Sequence, residues 1–150
     1  MQGPRIPTHQ HPASDLLGLR WVMTDIIHSE HVGTPVHSNP GTVYTAWDSD
    51  AAGAAYASFL IPEGCTHARL IGTFQGNEAG NSKGVQITVN GVAVAATWNG
   101  NGRTDINTGW VYLPASPTTT TQGVLYVKGS SATEDMTMMI FGVAFKRDSR

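Results

Sequence analysis

The densest concentration of recognition chemistry in the sequence is a polar run held between two indoles. It reads Trp98, Asn99, Gly100, Asn101, Gly102, Arg103, Thr104, Asp105, Ile106, Asn107, Thr108, Gly109, Trp110. An indole face packs on the apolar C–H face of a pyranose, while amides, a carboxylate and a guanidinium supply the donors and acceptors that neighbouring hydroxyls require. The candidate ligand-binding residues are therefore Trp98, Asn99, Asn101, Arg103, Asp105 and Asn107. Trp98 is the indole expected to face solvent, and Trp110 the one expected to sit further in. The competing reading is structural, because Asn-Gly pairs are ordinary turn chemistry and a tryptophan at a strand end commonly belongs to the core. A second polar loop, Gly76 to Lys83, is a candidate for the same end of the domain.

Other reactive groups are sparser. His9 and His11 stand two apart, so an extended arm points both imidazoles to one side. Three such arms about an axis would gather the nitrogens of an octahedral site for iron or a similar metal, against the alternative of a polar arm without metal. His28, His31 and His37 show no established ligand spacing. Asp48-Ser49-Asp50 opens like a calcium loop but lacks the later Gly and Glu of an EF-hand. Cys65 and His67 would share a strand face at ~6–7 Å, too far for a nucleophile and its base. The carboxylates Asp48, Asp50, Glu63, Glu78, Asp105, Glu134 and Asp135 all fall in apparent turns, and nothing sets two of them across a cleft. The expectation is a protein that binds rather than catalyses.

The elements that must position these groups follow from composition. The 150 residues suit one domain and one core. Only 13% are charged and 17 are glycine, so the surface is covered by Thr, Ser, Asn, Gln and Gly, which favours short strands and many turns. A net charge of −2 without a basic stripe argues against nucleic acid as a partner. Cys65 is the only cysteine, so no intrachain disulfide is required. Met1 to Pro12 contains no apolar signal-peptide core, and no run approaches the ~20 apolar residues of a membrane span, so neither signal-directed secretion nor membrane insertion is expected.

Residues 1–19 read as an irregular N-terminal arm and residues 20–150 as the folded head. Ser14 with Leu16, Leu19, Met23 and Ile26 allows a short helix or an opening strand, and Ile27 to Gly41 reads as a loop. Period-two runs then cover Thr42 to Trp47, Ala55 to Ile61 and His67 to Phe74. Val85 to Val89, Asn90-Gly91 and Val92 to Val94 form a hairpin, because Asn-Gly supplies the two positive φ angles of a type I′ turn. Trp110 to Leu113, Gly123 to Lys128 and Met136 to Phe145 complete about eight strands, with turns at intervals that suggest a sandwich or barrel. The fold class is all-β, an antiparallel jelly-roll β-sandwich.

Two stretches resemble bacteriophage fibre proteins. Thr8-His9-Gln10-His11-Pro12-Ala13-Ser14-Asp15-Leu16-Leu17-Gly18-Leu19 resembles the lead-in before the distal domains of tail fibres. The body is similar to the jelly-roll heads of the complement and tumour-necrosis-factor type, at Tyr44 to Asp48, Phe59 to Gly64, Arg69 to Phe74 and Gln86 to Gly91. The resemblance implies a homotrimer at the tip of a tail fibre or head spike that attaches the virion to a host-surface glycan, with an upstream fibre or virion protein as a further partner. It implies synthesis in the host cytoplasm and, at most, iron on the trimer axis as a cofactor. The alternatives are a structural virion connector without a receptor, and the carbohydrate-binding module of a glycan-degrading enzyme.

Overall fold

The computed structural model describes residues 20–28, 36–47 and 57–148. Among these residues twelve strands run β1 (Trp21–His28), β2 (Val36–His37), β3 (Thr45–Ala46), β4 (Ser58–Ile61), β5 (His67–Gly76), β6 (Lys83–Val89), β7 (Val92–Trp98), β8 (Thr104–Asn107), β9 (Val111–Tyr112), β10 (Thr121–Val124), β11 (Tyr126–Lys128) and β12 (Met136–Arg147). Among the described residues there is no helix, and every pairing is antiparallel. One sheet has the order β1-β12-β5-β8, with β2 against β12 and β9 against β5. The other has the order β3-β11-β6-β7, and β10 pairs with β4 beside it. The chain passes back and forth between the sheets, as expected of a jelly-roll sandwich.

Strict alternation builds the core. In β5 every second residue, Ala68, Leu70, Gly72, Phe74 and Gly76, points inward. Val85, Ile87 and Val89 of β6 and Val94 of β7 meet them from the facing sheet, and all four are fully buried. β12 is buried at nearly every position for two reasons. Its inner residues Met136, Met138, Phe141, Val143 and Phe145 fill the core, while Gly142 and Ala144 on the outer side are too small to stand out. The inner residues change from even to odd numbers along β12. A shift of register between Met138 and Ile140 absorbs that change by leaving Met139 as one extra residue, which is what a β-bulge does.

The Asn90-Gly91 hairpin forms as expected, with φ of 49° and 82° at the two turn residues. Of the two readings of the opening stretch, the strand is the one that forms: residues 21–28 are β1, paired with β12 along its whole length. Three expectations are corrected. The segment read as a loop from Ile27 to Gly41 contains the end of β1 and all of β2. The single strand expected over Gly123 to Lys128 is broken at Leu125, whose backbone leaves both ladders to donate to Ala57 O and accept from Trp47 N at 2.8 Å each. Thr104–Asn107, read as loop, is strand β8 paired with β5. The arm over residues 1–19, with His9 and His11, lies outside the described residues, as do His31, Asp48 and Asp50.

Candidate functional site

One pole of the sandwich is built from the loop between β5 and β6, the loop between β7 and β8, and the loop before β12. Its keystone is a buried ion pair that sequence reasoning did not find. The even-odd parity that buries Val85, Ile87 and Val89 also carries Lys83 inward, and its side chain is fully buried. Lys83 Nζ pairs with Glu134 Oε1 at 3.0 Å and donates to Gly80 O at 2.6 Å and Ser130 Oγ at 3.4 Å. The ammonium's three donors are thereby used.

Glu134, also fully buried, is saturated in the same way. Oε1 additionally accepts from Glu78 N at 3.2 Å, and Oε2 accepts from Ser130 N at 2.5 Å and Ser130 Oγ at 2.8 Å. Burial pushes this carboxyl's pKa up, but the hydrogen bonds from Ser130, Lys83 and Glu78 outweigh it and hold it below the ordinary glutamate value. A buried pair costs desolvation of both ions, so full hydrogen bonding is what makes it tolerable. Glu78 extends the clamp by accepting from Ser131 Oγ at 2.6 Å and Thr133 Oγ1 at 2.9 Å. Gly76 is required beside the pair, because a Cβ there would collide with Glu134 Oε1 and the Lys83 chain.

The candidate binding residues divide into three groups on this frame. Trp98 is corrected: only 8% exposed, it stacks on Phe74 with ring centroids 6.1 Å apart. Val94 sets the inward parity of β7, and Trp98 inherits it two pairs further along, opposite Lys83. Trp110 is the half-buried indole instead, with the cations of Arg69 and Lys146 at 4.8 and 4.9 Å from its ring centroid. Asn99, Asn101 and Arg103 are exposed at the pole. Asn99 Oδ1 accepts from Ser82 N at 2.9 Å, Asn101 O accepts from Gln75 Nε2 at 2.8 Å, and Gly100 N donates to Gly80 O at 3.1 Å. The Gly76–Lys83 loop therefore does join this end.

Asp105 and Asn107 lie elsewhere, on the outward side of β8. Asp105 Oδ1 accepts from Thr73 Oγ1 at 2.6 Å at the edge of a cleft of about 280 Å³, floored by Ile71, Gly72, Ile140 and Gly142. Asn107 Oδ1 is occupied in a tight turn, accepting from Gly109 N at 2.9 Å. The six residues thus do not converge on one ligand position.

The remaining chemistry is structural wherever it is described. Cys65 is fully buried, and the His67 ring meets Thr66 Oγ1 at 2.8 Å. His37 is buried against the edge of Trp47, with its ring nitrogens 3.2 and 3.3 Å from Ser38 O and Ala46 O. Among the described residues no group of His, Cys, Asp or Glu is arranged to hold a metal ion.

No protein-family model and no curated protein matches the sequence. Among solved structures, the chain is similar to the CBM36-1 domain of a multidomain xylanase from the hindgut metagenome of Trinervitermes trinervoides. That match has TM-score 0.47 and 10% identity, over 85% of this chain and 100% of that one. It is similar to dimeric latent PorU from Porphyromonas gingivalis, with TM-score 0.47 and 11% identity over 86% of this chain and 13% of that one. It is also similar to carbohydrate-binding module CBM36 in complex with calcium and xylotriose, with TM-score 0.41 and 17% identity over 73% and 98%. Likenesses at this level bear on neither ligand nor activity.

Proposed function

We propose that the domain is a non-catalytic, glycan-binding jelly-roll head that works as a homotrimer at the tip of a phage-type fibre or spike and attaches a virion to its host. The observation that carries the binding role is the loop pole. A fully buried, fully hydrogen-bonded ion pair is an expensive way to close a loop, and here it immobilises a surface whose outward groups are the amides of Asn99 and Asn101 and the guanidinium of Arg103. Preorganised polar groups lose little entropy on binding a hydroxyl-rich ligand. Three copies on one axis turn weak contacts into avidity. The phage assignment rests on the arm and body stretches quoted from the sequence.

The test is retention on immobilised host polysaccharide and on a glycan array. The combined Asn101→Ala and Arg103→Ala variant should lose retention while keeping its thermal transition. Unchanged retention would remove this pole from the binding surface.

A second reading, a virion connector with no receptor, is favoured by the burial of Trp98, since the loop pole then offers no indole to a sugar. Its signature is a trimer that assembles normally and shows no affinity for host cells or their extracted glycans.

A further inference from the structure

The pole opposite the ion pair carries a separate pocket. The segment between β9 and β10 folds against the turn before β5 and the end of β12, enclosing an open pocket of about 330 Å³. Its walls are Pro114 and Pro117, with Ser116, Thr118, Glu63 and Arg147 around them. The pocket is braced from several sides. Gly64 N donates to Pro117 O at 2.9 Å, Leu113 N to Thr66 O at 2.8 Å, Asn90 Nδ2 to Ala115 O at 2.8 Å and Glu63 N to Thr120 Oγ1 at 3.2 Å. Arg147 Nη1 donates to Gly64 O at 2.6 Å.

Its two charged residues are underused. Arg147 commits that one hydrogen bond, leaving most of the guanidinium's five donors without a protein partner among the described residues. The Glu63 carboxylate takes no hydrogen bond from the described residues and does not pair with Arg147, although both line the same pocket. A carboxylate only accepts and a guanidinium only donates. A pair of adjacent hydroxyls, each able to do both, matches them. The lining carries one charge of each sign, which suits an uncharged ligand better than a phosphate or a sugar acid. The two pyrrolidine rings give a C–H face somewhere to pack, and the volume is at the small end of ligand pockets.

We propose that this pocket holds one neutral pyranose unit, with neighbouring hydroxyls bridging Glu63 and Arg147. The proposal rests on the reading of the domain as a glycan-binding head and adds a site at its other pole.

The experiment is an amide chemical-shift titration of the full chain with methyl glucoside, methyl galactoside, methyl mannoside and methyl N-acetylglucosaminide, with glycine as a zwitterionic probe. At least one glycoside should shift the Ala115, Ser116 and Thr118 amides. Glu63→Gln should weaken that binding roughly tenfold, the usual loss for a hydrogen bond to a charged group. The fold should be kept, because the carboxylate holds no donor of the described chain. Shifts confined to residues 99–103 would overturn the pocket while sparing the glycan reading, and no response to any glycoside would overturn both. Shifts with glycine alone, or full affinity in Glu63→Gln, would also refute the proposal.

Discussion

At the scale of single residues, the Lys83–Glu134 pair is where losing one partner of an interaction is felt most directly. Glu134→Gln leaves a buried ammonium without its counter-ion, and a loss of about 3–5 kcal/mol in urea unfolding at pH 7 is expected. Replacing both partners, as Lys83→Met with Glu134→Leu, should recover much of that loss because no buried charge remains. The pH dependence has a definite sign. Glu134 is held below its ordinary value in the folded state, so its contribution is present above the unfolded carboxyl's pKa of about 4.3 and disappears as pH falls through the lower folded value. Acid unfolding followed by circular dichroism should therefore show a shallower loss of stability between roughly pH 5 and pH 2 in Glu134→Gln than in the parent. Trp98→Ala belongs to the same scale. Its buried, stacked indole makes it a core truncation costing about 3–5 kcal/mol, read as a lowered thermal midpoint.

At the scale of elements, the β6–β7 hairpin is the best case for local sequence control. Gly91 sits at φ 82°, so Gly91→Ala should cost about 1–2 kcal/mol by chemical denaturation, whereas Asn90→Gly should be nearly neutral. That hairpin was legible because Asn90-Gly91 states its turn type and the flanking valines state the parity. The same parity, continued to Trp98 and Lys83, was sufficient to place both side chains inward, but the turn-rich composition after Trp98 drew the reading toward a loop. β8 was illegible for a related reason: Thr104-Asp-Ile-Asn107 has one apolar residue and two strand-disfavoured ones, and only its pairing with β5 makes it a strand. The ion pair could not be read at all, since nothing local couples Lys83 to Glu134. The bulge in β12 was illegible, because Met138 to Phe141 and Val143 to Phe145 are apolar at every position and hide the change of parity at Met139.

At the scale of the whole molecule, β12 is the axis of assembly, flanked by β1 on one side and β5 on the other. Removing residues 1–28 should uncover an edge of β12 and turn a soluble product into one that aggregates, checked by the soluble fraction after expression. For the intact chain, light scattering should give about three times the 16.0 kDa protomer mass, and a clean monomer would count against the trimeric head.

The β1–β12 ladder has a mechanical consequence. Trp21 pairs with Arg147 and His28 with Ile140, so the chain enters β1 at the pole opposite the ion-pair loops. If the loop pole is held by a surface and the chain before β1 is pulled, the force runs along the strand. Inter-strand hydrogen bonds lie perpendicular to that direction. All eight residues of β1 are then loaded together in shear instead of being unzipped singly. If the proposed attachment role holds, a head tethered through β1 would resist being torn from what it grips.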